Sequence, residues 1–198
     1  MIKKLLAYLQ IFGFIFFIAS CVTNPAADSG SGLIYKLVTK AKVLNKANDE
    51  SYNIDLTMII DANRAIRIDM TALLGYRLAE LTMTPEIIQY IQREDKIFVQ
   101  GPYSSKTLRP LFKSDFDPQL IWDLAHDKNF ENGIYYGADV KTEFLKKSNS
   151  NYLSKKVTIE NKNLKLIWLF KSKDPIYVSY NETFVLSKPS EYRLISIK

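Results

Sequence analysis

Residues 53–71 read Asn-Ile-Asp-Leu-Thr-Met-Ile-Ile-Asp-Ala-Asn-Arg-Ala-Ile-Arg-Ile-Asp-Met-Thr. Apolar and polar residues alternate on both sides of the segment 61–64, which is typical of two strands that each bury one face. The polar residues between the two runs predict a hairpin. This stretch therefore predicts an antiparallel pair of strands with a shared apolar face.

The same alternation continues towards the C-terminus, interrupted by polar turns. Further strands are predicted at residues 76–84, 87–92, 96–100, 138–145, 152–160, 164–170, 176–180, 183–186 and 192–197. The run Asn161-Lys162-Asn163 predicts a tight hairpin between two of them. Upstream, Leu33 to Asn48 fits either a helical face or an alternating strand, and we expect a short helix or turn that leads into a first strand.

Two short helices are predicted in the middle of the chain. Ser104 and Ser105 can begin one that runs through Leu111, and Asp117-Pro118 is a favourable start for a second, with aspartate as the N-cap. Strands followed by helices and more strands indicate an α+β domain. We expect one large, curled antiparallel sheet that forms an unclosed half-barrel and is covered by the short helices.

The first residues have the three parts of a secretory signal. Met1 to Lys4 is basic, and Leu5 to Ile18 is almost uniformly apolar before small residues end the segment. The alternative is a membrane-spanning anchor, but such a helix needs about 20 predominantly apolar residues. This run is shorter and is interrupted by Gln10 and Gly13. We therefore expect residues 1–20 to be a signal peptide that is removed.

The run Ile18-Ala-Ser-Cys21 is similar to the bacterial lipobox, whose cysteine accepts a diacylglycerol and, after cleavage, an N-acyl chain. Cys21 is the single cysteine, so the chain cannot form an internal disulfide. Residues 21–32 are small and polar and predict a lipidated flexible tether, which leaves residues 33–198 as one domain. Val22 follows the cysteine, and the absence of aspartate there is similar to an outer-membrane address on the periplasmic face.

Composition and residue inventory argue against nucleic-acid binding and against catalysis. The formal charge is +6, and removal of Lys3 and Lys4 leaves 25 basic against 21 acidic residues, or +4. His126 is the only histidine, so a histidine-based metal cluster is excluded and Ser-His-Asp chemistry would rest entirely on this residue. We expect His126 to lie near the C-terminus of a helix, where the helix dipole favours a positive imidazole. We expect no catalytic residue, metal or cofactor. A hydrolase remains an alternative hypothesis, because the central region contains acidic residues that could act as a catalytic pair. These residues are Asp115, Asp117, Asp123 and Glu131.

The stretch from Arg67 to Thr82 reads Arg-Ile-Asp-Met-Thr-Ala-Leu-Leu-Gly-Tyr-Arg-Leu-Ala-Glu-Leu-Thr. Together with the lipobox and the predicted sheet, it resembles LolB, a family of outer-membrane lipoproteins. In that family an Arg-x-apolar-x-apolar strand leads into a Pro-Leu-Gly turn, and the next strand carries Leu-x-x-Leu. Here Leu73-Leu74-Gly75 occupies the turn, with Leu73 in place of proline, and residues 103–124 resemble the helical section. The resemblance covers residues 53–124.

The resemblance implies a protein that accepts lipoproteins from a LolA-like periplasmic carrier and inserts them into the outer membrane. It implies a monomer with an apolar interior for acyl chains and a membrane-contacting loop at Leu73 or Leu74. The cavity-lining residues it implies are Ile54, Leu56, Met58, Ile66, Ile68, Met70, Leu78, Leu81, Leu166, Trp168 and Phe170. The alternatives are that the two leucines cap the core and that the apolar stripes pack as an ordinary interior.

A second hypothesis is a non-catalytic envelope scaffold with the same fold. It predicts no cavity and an exposed aromatic patch that includes Tyr135, Tyr136 and Tyr177. The hydrolase hypothesis is third, and it predicts two acidic side chains, such as Asp117 and Asp123, in one cleft.

Overall fold

The computed structural model describes residues 33–46, 48–62, 64–145, 155–170 and 173–198. The predicted signal peptide, Cys21 and the predicted tether lie outside this range. The described residues contain twelve strands in one sheet. The strands are β1 Ile34–Asn45, β2 Glu50–Asp61, β3 Ala65–Thr71, β4 Arg77–Met83, β5 Ile87–Gln92, β6 Ile97–Pro102, β7 Gly133–Tyr135, β8 Ala138–Phe144, β9 Lys155–Glu160, β10 Leu164–Phe170, β11 Asp174–Ile176 and β12 Arg193–Ser196.

The sheet is open. Its strand order is β12-β6-β5-β4-β3-β2-β1-β10-β9-β8-β7, and β11 pairs with the beginning of β1 beside β10. All pairings are antiparallel except that of β12, which runs parallel to β6. The prediction of one large, unclosed, mostly antiparallel sheet with short helices is therefore confirmed.

Most of the predicted strands are confirmed, and the opening segment is corrected. The alternating run of residues 53–71 forms β2 and β3, which pair from Asp55↔Thr71 to Asp61↔Ala65. Residues Ile34 to Asn45 form one continuous strand, so the helix or turn expected there is absent. Tertiary pairing decides this ambiguity, because β1 lies between β2 and β10 and its backbone groups are used by both neighbours.

The described residues contain three short α-helices: α1 Ser105–Phe112, α2 Pro118–Ala125 and α3 Tyr180–Phe184. The first two were predicted. The carboxylate of Asp117 caps α2 by accepting a hydrogen bond from the backbone N–H of Gln119 at 2.8 Å, as expected for an aspartate before proline. A 3₁₀ turn, Leu73–Gly75, connects β3 to β4.

The C-terminal region differs from the prediction. Residues 183–186 do not form a strand, because α3 occupies 180–184, and the strand predicted at 176–180 is replaced by β11, which ends at Ile176. Strand β7 was not predicted, and β12 is parallel where an antiparallel strand was expected. Alternation alone cannot identify these elements, since residues 177–192 leave the sheet and cross its surface.

The two faces of the sheet are covered differently. The inner face contributes alternate residues of nine strands to one buried apolar cluster, which also includes Leu108 of α1 and Leu120 of α2. On the outer face, Phe184 packs with Ile34 and Ala65. Leu186 and Tyr192 of the same crossing segment pack with Ile91 and Phe98. Residues 177–192 therefore act as a strap over the outer face.

Beneath this strap lies a buried ionic network. The Glu80 carboxylate accepts hydrogen bonds from Arg67 at 2.9 Å and from Arg93. Arg67 also donates to Asp69 and to the backbone carbonyl of Thr183, each at 2.9 Å. A desolvated carboxylate is tolerated only when its charge is matched, and these arginines provide the match while tying the strap to β3.

One compact unit spans residues 32–198 and contains all three apolar clusters of the described residues. This unit thus carries its own core among the described residues. A segment with its own core is expected to fold independently.

Gly101 of β6 lies where β6, α1 and the end of β12 pack closely, and a residue without a Cβ atom is required there. A Cβ atom there would lie 2.6 Å from Thr107 Oγ1 of α1 and 2.8 Å from Ile197 Cβ after β12. We expect Gly101→Ala to lower the free energy of unfolding by about 1–3 kcal/mol through overpacking. The matched control is Gly133→Ala, whose Cβ would meet its nearest atom at 3.7 Å and should change stability little. Urea unfolding of both variants tests this, and equal stabilities would contradict the close packing.

Candidate functional site

The apolar layer between the inner face of the sheet and helices α1 and α2 is the candidate site. It contains a cavity of about 30 Å³. The ten residues that line the cavity are all apolar: Val43, Ile54, Leu56, Ile68, Met70, Phe112, Phe116, Ile121, Leu166 and Trp168. This volume exceeds the roughly 10–15 Å³ that one water needs, but an apolar lining offers water no partner.

All eleven residues predicted to line an acyl-chain cavity lie in this layer. Nine are buried members of the main cluster, and Ile54 and Leu78 are partly buried and packed against it. Six of the eleven line the cavity directly, and these are Ile54, Leu56, Ile68, Met70, Leu166 and Trp168. The structure thus brings the residues together, and their role as acyl-chain ligands stays a prediction.

Four lining residues were missed from the sequence: Val43, Phe112, Phe116 and Ile121. Two of them meet at the connection between the helices: Phe112 ends α1, Phe116 lies in the segment that follows, and their ring centroids are 5.1 Å apart. The apolar spacing of Leu108, Leu111 and Phe112 is that of a helical face and could have identified Phe112. Phe116 has no such signal, because it lies between the helices.

The connector, residues 113–117, is held to the sheet by one side chain of the β9–β10 hairpin. Asn161 Nδ2 donates to Ser114 Oγ and to the backbone carbonyl of Asp115, each at 3.0 Å. Asn161 Oδ1 accepts from the backbone N–H of Leu164 at 2.8 Å, which fixes the hairpin that carries it. Few polar contacts therefore hold the connector, which covers the cavity, to the sheet.

Helix α2 is fixed by Asp123, which is 7% exposed. Its carboxylate accepts from Lys128 at 2.6 Å and from Tyr136 and Gln119 at 2.7 Å each. Burial alone would raise the pKa of Asp123, but these three hydrogen bonds outweigh it and lower the pKa below its usual value. Since Asp117 caps the same helix at its other end, both carboxylates named by the hydrolase hypothesis have structural partners.

Few polar groups lie within the layer. Burial raises the pKa of Tyr90 to about 12. Within the described part of the chain, the hydroxyl of Tyr90 and Nε1 of Trp168 have no hydrogen-bond partner. Trp168 also lines the cavity through its apolar surface.

The turn between β3 and β4 exposes a leucine. Leu74 is fully exposed and has a left-handed φ of 66°, followed by Gly75 at 77°. Tyr76, next to the glycine, is 59% exposed. The turn follows Met70, a lining residue, so it lies at the end of the sheet where the cavity is found. Membrane contact by Leu74 stays a prediction, and the side chain of Leu73 lies outside the described part of the structure.

The three tyrosines of the scaffold hypothesis have different surroundings. Tyr135 packs against Phe130 with ring centroids 4.7 Å apart, whereas the Tyr136 hydroxyl is bound to Asp123. Tyr177 is fully exposed in the strap. The structure therefore leaves Tyr177 as the freely exposed member of the set.

Among the described residues, no group of three or more histidine, cysteine or acidic side chains is arranged to hold a metal ion. None of the helices in the described ranges is long and apolar enough to cross a membrane. No protein-family model matches this chain, and no curated protein matches it either.

The lowered pKa of Asp123 predicts a pH dependence. A carboxylate whose pKa is lower in the folded state stabilises the fold at neutral pH, and this contribution is lost as the pH falls below about 4. We expect Asp123→Asn to lower the free energy of unfolding at pH 7 by about 1–3 kcal/mol and to weaken its acid dependence. The control is Asp115→Asn, because Asp115 is exposed. Denaturation between pH 2 and 7 measures both, and unchanged acid dependence of the Asp123 variant would refute the assignment.

Proposed function

We propose that this protein is an outer-membrane lipoprotein, held on the periplasmic face by lipid on Cys21, that binds the acyl chains of other lipoproteins and aids their insertion. A LolA-like periplasmic carrier is the proposed donor. The reaction needs no covalent step, since an acyl chain moves between apolar environments according to their relative affinity.

The sheet is proposed to curl into a half-barrel around the apolar layer. Eleven strands lie in one continuous order, and at about 4.8 Å per strand a flat sheet of this kind would be about 48 Å wide. Each eight-residue helix is only about 12 Å long. Inner residues of nine strands nevertheless share one buried cluster with both helices, and a curled sheet accounts for this.

The observation that carries the proposal is the wholly apolar cavity beneath the α1–α2 connector, at the same end of the sheet as the exposed Leu74. An apolar cavity without polar partners favours a hydrocarbon occupant over water. An exposed leucine on a turn is favourable once it enters a membrane, where burial of the side chain contributes about 1.5–3 kcal/mol.

Binding of a full acyl chain requires the layer to open. Small-molecule sites are usually about 300–1,000 Å³, whereas the cavity measures about 30 Å³. The layer is proposed to open by displacement of the connector. This displacement moves Phe112 and Phe116 away from the sheet. The hydrogen bonds of Asn161 to the connector are the polar contacts that this movement breaks.

The two tryptophans provide a direct test of acyl-chain entry. Trp168 lines the cavity, whereas Trp122 lies on α2 and stacks on His126 at 4.8 Å. Trp122→Phe leaves Trp168 as the single tryptophan, and we expect brominated palmitate to quench its fluorescence by direct contact. The matched variant Trp168→Phe reports on Trp122 and should be quenched much less. Equal quenching of the two variants, or none in either, would refute binding in the layer.

Leu74 provides the test of membrane contact. Leu74→Asn keeps a residue that tolerates the left-handed backbone, so the fold should be as stable as that of the parent. We expect it to insert lipoproteins into membranes about 10–100-fold more slowly, which is the equivalent of 1.5–3 kcal/mol of lost burial.

The measurement is transfer of a lipoprotein from its carrier to vesicles, together with rescue of cells depleted of this protein. The control is Val185→Asn, since Val185 is an exposed apolar residue of the strap. Normal transfer by the Leu74 variant would exclude the turn as the contact site, and normal lipoprotein sorting in depleted cells would overturn the proposed function.

A further inference from the structure

Lys155 carries an ammonium group at the border of the apolar layer. It begins β9, and its side chain lies on the inner face because the alternate residues Val157 and Ile159 are buried in the main cluster. The side chain is 11% exposed, and Nζ lies 5.2 Å from the ring centroid of Phe170. A lysine in this position loses most of its hydration, which is unfavourable unless an anion compensates.

The compensation within the described part of the chain is incomplete. Asp127 Oδ1 lies 4.0 Å from Lys155 Nζ, beyond hydrogen-bond distance. Asp127 Oδ2 accepts a hydrogen bond at 2.6 Å from a second lysine, Lys173, whose side chain is 15% exposed. Lys173 Nζ also donates to the backbone carbonyl of Ala125. Among the described residues, one exposed carboxylate therefore serves two ammonium groups, which leaves one positive charge there without an anion of its own.

The charged pair is continuous with the cavity. Phe170, under Lys155, packs on Trp168 with ring centroids 4.6 Å apart, and Trp168 lines the cavity. In the β9–β10 register, Lys155 pairs with Phe170 and Val157 pairs with Trp168, so the ammonium and the cavity are one pleat repeat apart along the same face. A ligand with an anionic head at Lys155 can therefore extend its hydrocarbon tail over Phe170 and Trp168.

We propose that Lys155, assisted by Lys173, binds the anionic group of an acyl-chain ligand, a carboxylate or a phosphate, whose tail enters the apolar layer. The site deepens the proposed function, on which it rests, because it adds a class of ligand with a charged head to the uncharged acyl chains of lipoproteins. Burial lowers the pKa of Lys155, Asp127 raises it and Lys173 lowers it further, so a bound anion would relieve an unfavourable charge.

Three probes with the same hydrocarbon tail and different head groups distinguish the contribution of the head group to binding affinity from that of the chain. The probes are palmitate, hexadecyl phosphate and the neutral monopalmitoylglycerol, each titrated against residues 32–198 and followed by displacement of a fluorescent fatty acid. We expect Lys155→Met to weaken binding of one or both anionic probes about tenfold or more, the usual effect of losing a charge-assisted hydrogen bond. Binding of the neutral probe should be unchanged. The anionic probe that loses more affinity identifies carboxylate or phosphate as the preferred group.

The matched control is Lys156→Met. Lys156 is the next residue of β9, points to the opposite face and pairs with Glu143 at 3.0 Å, so its loss should affect no probe. Thermal unfolding verifies that both variants are folded. Equal affinity of the parent and Lys155→Met for all three probes would overturn the anion site and leave acyl-chain binding intact. Failure of the parent to bind any probe would overturn the proposed function as well.

Discussion

The structure depends on burial of one apolar layer between the inner face of the sheet and two eight-residue helices. No disulfide is available, since the chain has a single cysteine, so hydrophobic burial must provide most of the stability. Tyr90, Met58 and Leu81 are fully enclosed in this layer, and Leu108 and Leu124 reach it from the helices. The helices are too short to be stable alone and persist because the sheet accepts their apolar faces.

The polar contacts determine where this layer is firm and where it can open. Helix α2 is fixed by the three hydrogen bonds to Asp123, and the strap on the other face is fixed by Arg67 and Glu80. The connector between α1 and α2 is attached to the sheet through one side chain, Asn161. Entry of a ligand by the proposed route therefore breaks the hydrogen bonds of this side chain and separates Phe112 and Phe116 from the sheet.

Much of the fold could be predicted from local pattern. Strands β2 to β6 and β8 to β10 follow from alternation, and α2 follows from Asp117-Pro118, because these signals depend on a few neighbouring residues. The predicted cavity residues lie in one cluster for the same reason. Lys155 was missed, since a lysine in an alternating strand reads as a solvated residue until the opposing helix and the ring of Phe170 are known.

The sequence by itself determined which residues share the inner face and where α2 begins, because side-chain direction in a strand and helix capping are local properties. Only the tertiary structure decided that β12 runs parallel to β6, that residues 177–192 form a strap and that the layer retains only a small cavity. Those features depend on contacts between residues far apart in the chain, and such contacts leave no periodic pattern in the sequence.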